Sequence, residues 1–310
     1  MMKKRKLASI IGIGLAGSLA FAGCSTDSEE PAANGGDGDS GASEEMGTIT
    51  LGFLPAWTDG LSTAWLLKNQ LEAIGYTVEF EELTEAAILY TGLAGGDVDV
   101  YPSAWSETTH ASYMEQYGDQ LEDLGAYYEN AKLTIAVPEY TDIDSIEDLA
   151  GNADMFGGEI IGIEPSAGLT EQTETVMMPE YELEDEYSLV TSSTATMLAT
   201  LEEAVANEED IVVTLWRPFW ANSEFPIKDL EDPMGAMGEP EALHFLATEG
   251  FSEEFPEAAE LIAGIQLDDD EYGSLEDTVV NTYEGEDDKS AAIEEWLEAN
   301  PDAFDTIVTD

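Results

Sequence analysis

The sequence predicts an α/β fold of two lobes with a ligand cleft between them, and three observations carry that prediction. Strand-length apolar runs alternate with helix-length amphipathic ones from position 48 onward. The alternation halts at Pro138, starts afresh, and near residue 239 turns to one more strand followed by helices, so the chain crosses between the lobes twice. Tryptophans and a small-residue loop fall where strands end, which is where open α/β sheets hold ligands.

The chain opens on "MMKKRKLASIIGIGLAGSLAFAGC": basic residues, a Gly/Ala-punctuated apolar run, then small residues before Cys24. That is the layout of an export signal over residues 1–23. Its apolar run of about 17 residues lies at the lower limit for spanning a bilayer. "FAGC" resembles the lipobox of bacterial lipoproteins, with Phe21 in place of the usual leucine, so lipidation of Cys24 after cleavage is expected. As the sole cysteine, Cys24 has no partner for an internal disulfide. Residues 24–47, rich in Ser, Gly, Asp and Glu, bury too little apolar surface to order themselves and are expected to form a flexible tether.

In the first lobe, "GTITLGFLPAW" predicts a strand, "DGLSTAWLLKNQLEAIGY" an amphipathic helix stopped at Gly75, and "TVEFEEL" a second strand. A helix, a Gly-Gly break and the strand "VDVYPSAW" follow, then the strand in "YENAKLTIAVPEY". The second lobe contributes "EIIGIEPSAGLTEQTETVM" (strand, tight loop, helix start), the helix "TATMLATLEEAVAN" and the strand "DIVVTLWRPFW". The strand "EALHFLATEGF" and helices at "FPEAAELIAGI", "SLEDTVVNTYEG" and "SAAIEEWLEANPDAF" are expected to return to the first lobe. Lobe 1 is therefore assigned to residues 48–138 and 239–310, and lobe 2 to 139–238.

The charge is extreme. Of 310 residues, 68 are acidic and nine basic, and four of those nine lie in the leader. Such a surface repels nucleic acid and anionic lipid heads, and salt would screen its self-repulsion, which fits a salty habitat. "LDDDE" and "EGEDD" lack the EF-hand ligand pattern, so no metal is expected. No nucleophile elbow, zinc-protease helix or P-loop is present, and the only thiol lies in the lipobox, which argues against an enzyme. No cofactor is expected.

Three strands are predicted to end in tryptophan: Trp57, Trp105 and Trp216. Several aromatic faces around a cleft suit a quaternary ammonium, whose charge is spread over methyl groups and which has no N–H to satisfy. Each ring face attracts such a cation by roughly 0.5–2 kcal/mol. "PSAGLTEQ" offers free backbone N–H groups at a helix start, an anion site, and His110 in "AWSETTH" supplies a side-chain donor. The ligand is thus expected to be methylated and cationic at one end and a carboxylate at the other. As the side chain that titrates nearest neutrality, His110 could also tune affinity with pH.

The stretches "GFLPAWTDGLSTAW", "GLAGGDVDVYPSAWSETTH", "VPEYTDIDSIEDLAG", "IGIEPSAGLTEQTE" and "VVTLWRPFWANSEFPIKDLEDP" resemble the substrate-binding proteins of glycine betaine ABC importers, the OpuA/ProX group. The resemblance covers essentially everything after the tether and implies a type II periplasmic-binding-protein fold. It implies that Trp57, Trp105 and Trp216 form a prism round the trimethylammonium group, and that Gly168, Leu169 and His110 hold the carboxylate. Some members carry the two lobes in the other order, a circular permutation, and Phe219 stands where a histidine is common in the family. A membrane permease with its ATPase is the implied partner, with lobe closure about a hinge near Val137, Pro138 and Gly238.

Choline, carnitine and proline betaine remain alternative ligands, and an extracellular sensor an alternative role. Choline lacks the acid that His110 and the "SAGL" amides would meet. His244 is expected to be structural, Trp65 and Trp296 to lie in the core, and Trp220 either in the core or at the cleft edge.

Overall fold

The computed structural model describes residues 46–304 and 306–308. The proposed leader, Cys24 and all but the last two residues of the proposed tether lie outside the described residues.

Among the described residues, nine strands run in the spatial order β2-β1-β3-β9-β4-β7-β5-β6, with β8 beside β4. They are β1 (Thr48–Phe53), β2 (Thr77–Glu82), β3 (Val100–Ala104), β4 (Leu121–Pro138), β5 (Glu159–Ile161), β6 (Ser188–Val190), β7 (Val213–Arg217), β8 (Ile227–Asp229) and β9 (Glu241–Thr248). In the first half, β1 pairs in parallel with β2 and β3, whereas β9 is antiparallel to β3 and β4. In the second half, β5 is parallel to β6 and β7, and β4 closes the sheet antiparallel to β7 and β8. The parallel centre of each half matches the α/β reading.

Strand β4 belongs to both halves. Its residues Leu121 to Ala131 pair with β9, and Lys132 to Ala136 pair with β7. The crossing therefore lies at Ala131–Lys132, ahead of the Val137–Pro138 hinge expected from the sequence. The register sets Leu133 opposite Trp216 just past the crossing, which puts Trp216 at the junction of the halves. Trp216 lies within β7 rather than after it, since Arg217 still pairs with Lys132.

Helix α1 (Thr58–Ala73) ends before Gly75, whose φ of +104° suits a residue without Cβ. Helix α2 (Ala86–Gly95) ends in left-handed Gly96, and α3 (Ala111–Tyr117) begins after His110. The helix Thr194–Asn207 has the bounds read from the sequence, with the Ser193 hydroxyl accepting from Thr196 N–H. The C-terminal helices Pro256–Ala263, Asp269–Asp277 and Ser290–Ala299 pack on α1. In "LDDDE" the carboxylates cap a helix. Asp268 and Glu271 form a capping box, Asp268 accepting from the Asp270 and Glu271 N–H groups while Glu271 accepts from Asp268 N–H.

Trp296 is buried in that packing and donates to Ser274 Oγ at 2.9 Å. Trp65 is half-buried, edge-on to Phe80. His244, on β9, sets its Nδ1 3.0 Å from Asp123 Oδ1.

Candidate ligand-binding site

The carboxyl ends of β1, β3 and β5 and the end of β7 converge on the junction of the halves. Trp57 follows a tight turn after β1, its N–H bonded to the Leu54 carbonyl at 2.9 Å, and it caps α1. Trp105 immediately follows β3, and a loop links β5 to the short helix α4 (Gly168–Gln172). All six residues singled out in the sequence line one cavity: Trp57, Trp105, His110, Gly168, Leu169 and Trp216. Leu133, Ile163, Ala167, Thr109 and Asp59 complete the wall. The three indoles are only 4–7% exposed, so the halves stand closed around this space.

The spacing from Trp105 to His110 has a local cause. His110 N–H donates to the Trp105 carbonyl at 2.8 Å, and Trp105 N–H donates to His110 Nδ1 at 3.2 Å, which folds the loop back on itself. Glu241, on β9, fixes the intervening residues by accepting from the N–H groups of Thr108 and Thr109 and from the Thr109 hydroxyl. Because a backbone N–H can only donate, His110 Nδ1 must accept, and the neutral ring carries its proton on Nε2. The Tyr90 hydroxyl shares Nδ1 at 2.9 Å. Burial pushes the His110 pKa down to about 3. The ring is therefore neutral near physiological pH, and the expected tuning of affinity through His110 protonation does not hold: an imidazole 2% exposed has no room for hydrated charge. What remains is a fixed, uncharged Nε2–H donor.

Opposite His110, Gly168 and Leu169 are the first two residues of α4, whose N–H groups have no intrahelical acceptor. A Cβ on Gly168 would lie 2.7 Å from both the carbonyl carbon and Cγ2 of Thr109, and closer still to the carbonyl oxygen. Gly168 is thus required by the approach of the two halves, not by its own backbone conformation.

The indoles are held from behind. Trp105 Nε1 donates to Asp59 Oδ2 at 3.0 Å, which also accepts from Ser103 at 2.7 Å. Burial raises the Asp59 pKa, although these hydrogen bonds oppose the rise. Trp57 Nε1 donates to Glu164 Oε2 at 3.1 Å. Phe219 stacks on Trp216 with centroids 4.0 Å apart and planes at 24°, so one face of that indole is covered by protein. Trp220 is not in this wall; it sits beside Phe219 and Phe225 on a separate hollow that Glu276 also lines. Arg217, next to Trp216, holds Asp229 through Nε and Nη2 at 2.6 and 3.0 Å.

Sequence reasoning missed Asp59, Glu164, Glu241 and the stacking role of Phe219. Asp59 and Glu164 stand inside quoted motifs, "WTDG" and "GIEPSAG", and their position there was the one available signal.

A family model described as the substrate-binding domain of ABC-type glycine betaine transport systems (OpuAC) matches residues 47–299. The chain belongs to this family. A solved structure of the glycine betaine/L-proline-binding protein ProX from Borrelia burgdorferi is 32% identical with a TM-score of 0.75, covering 82% of this chain and 93% of that one. Lactococcal OpuAC, closed on glycine betaine, is 27% identical with a TM-score of 0.74, covering 82% of this chain and 96% of that one. The glycine betaine/carnitine transport binding protein GbuC of Listeria monocytogenes serotype 1/2a (strain 10403S) is 32% identical over 146 residues, 46% of each chain. That match therefore spans less than half of the Listeria protein. These structures share the α/β architecture of ABC-importer substrate-binding proteins, and the fold here is of that type.

Proposed function

We propose that this OpuAC-family chain is an extracytoplasmic receptor, anchored through lipidated Cys24, that captures glycine betaine or a related betaine for uptake of an osmoprotectant. The observation that carries the reading is a cavity whose wall takes Trp57 and Trp105 from one half, Trp216 from the other, and hydrogen-bond donors at one side. A trimethylammonium group has no donor to pair and is attracted by each indole face. A buried carboxylate needs two or three donors, and His110 Nε2–H with the N–H groups of Gly168 and Leu169 supplies three. Glycine betaine carries both groups one carbon apart, and it is the ligand named for the related lactococcal structure.

In this reading the two halves are the lobes of a clamshell. They swing about the crossing of β4 and the return of the chain near Gly238, and they meet where Gly168 touches Thr109. The closed form is recognised by a membrane permease, and a separate ATPase drives release inward. Choline keeps the cation but leaves His110 and the α4 amides without an acid, which lowers its rank.

The test is calorimetric titration of the purified protein with glycine betaine, carnitine, proline betaine, choline and proline at low and high salt. Betaines should bind and proline should not. A protein that ignores every N-methylated solute would overturn the reading.

A further inference from the structure

Trp57 and Trp105 are anchored differently. The Trp105 indole N–H is bonded to Asp59 of its own half, a bond independent of how the halves sit. The Trp57 indole N–H crosses the junction to Glu164, in the loop after β5. Glu164 is itself pinned within the second half: Oε1 accepts from Thr194 N–H at 2.9 Å and Oε2 from Thr194 Oγ1 at 2.8 Å. Thr194 opens the 14-residue helix Thr194–Asn207, whose N-terminal field favours a carboxylate there. The acceptor is therefore fixed in place and buried, and waits for a donor from the other half. Trp57 is the residue that meets it.

Two consequences follow from elementary chemistry. An indole on a loop, free at its N–H, can turn about its side-chain torsions, whereas one bonded at Nε1 presents a fixed face. A carboxylate on the N–H also feeds electron density into the ring, which strengthens its attraction for a cation on that face. The second half thus delivers negative charge to the cavity through the ring, without a carboxylate touching the cation.

We propose that Glu164 is a positioning residue that engages the Trp57 indole N–H as the halves come together, locking and polarising a cage wall contributed by the opposite half. The inference rests on the betaine reading for its ligand.

The test uses the full chain labelled with ¹⁵N-indole tryptophan, the Trp57 signal being assigned with Trp57→Phe. Adding saturating glycine betaine should move the Trp57 Nε1–H resonance downfield and slow its exchange with water at least tenfold, while the Trp105 signal stays protected throughout. Glu164→Gln should weaken glycine betaine at least tenfold in the parent protein, and less than threefold in the Trp57→Phe background, where there is no N–H to hold. Equal losses in both backgrounds, or a loss within twofold in the parent, would show that Glu164 does not act through Trp57. If Glu164→Gln fails to fold, exchange in the parent protein decides: heat of binding with unchanged Trp57 exchange overturns this inference alone. No heat with glycine betaine overturns the ligand reading and this inference with it.

Discussion

Gly168→Ala tests closure with one added carbon. The new Cβ would lie 2.7 Å from the Thr109 carbonyl carbon and Cγ2, where non-bonded carbons rest about 3.5–4.0 Å apart, so the halves must separate by about 1 Å. That shift stretches the bonds that bridge the junction beside it. Tyr113 Oη donates to the Ser166 carbonyl at 2.6 Å, Ser166 Oγ to Glu85 at 2.6 Å, and Ser112 Oγ to Glu171 at 2.8 Å. Each lengthens to the edge of, or beyond, hydrogen-bonding range, at a net cost of about 0.5–1.5 kcal/mol apiece. Losing two or three of them comes to about 1–4.5 kcal/mol, a roughly 5- to 1,600-fold loss of affinity, and misplacement of the Gly168 N–H adds to it. Calorimetric titration with glycine betaine measures it. The melting temperature of the ligand-free protein serves as control and should not fall, because alanine is favoured over glycine in a helix and an open junction leaves room for it. Wild-type affinity in Gly168→Ala would refute the claim that closure onto Thr109 forms the site.

The remaining predictions concern single side chains. Trp105→Ala and Trp216→Ala should each weaken glycine betaine by about 1–2 kcal/mol or more by titration, from the ring lost. His110→Ala should weaken glycine betaine more than choline, since the donor it removes meets only the acid; equal losses would remove His110 from the carboxylate site. Glu276 accepts from the Thr58 hydroxyl, and burial, aided by the Asp59 charge, pushes its pKa from 4.5 up to about 7. Between those values the folded chain holds a proton that the unfolded chain has released, so this group's contribution to stability falls as pH rises from 4.5 to 7 and is level above. Glu276→Gln should remove that slope, raising stability at pH 8 relative to pH 4.5 by about 3 kcal/mol compared with the parent in urea unfolding. Parallel pH curves for parent and variant would contradict the burial argument.

The α/β class, the order of the main elements and the three tryptophans that line the cavity were legible because each has a local signal. Periodicity marks α1 and the helix Thr194–Asn207, and a tryptophan at the end of an apolar run stands out in any composition. Asp59 and Glu164 were not legible as anchors, because in a chain with 68 acidic residues a carboxylate carries no contrast until the fold buries it. The strands Ser188–Val190 and Ile227–Asp229 are three residues long, too short to show a period. The 18-residue β4 was read only in its second part, because Gly125 and the polar pair Glu129–Asn130 interrupt its pattern where the register to β9 shifts. Phe219 was noticed as a departure from the family pattern, but its stacking on Trp216 depends on the turn after β7, which no spacing encodes. The burial of His110 depends on Tyr90, Tyr101 and Tyr113 closing over it from other elements.

The central claim is that the indoles recognise positive charge on a methylated nitrogen, and one comparison tests it most directly. Glycine betaine and 3,3-dimethylbutanoate have the same shape and the same carboxylate, and differ in whether a charged nitrogen or a neutral carbon carries the methyl groups. With three indole faces at roughly 0.5–2 kcal/mol each, calorimetric titration of the purified protein should show glycine betaine binding at least tenfold more tightly. Equal affinity for the two would mean that the cavity recognises shape alone, and the account of the cage would be wrong.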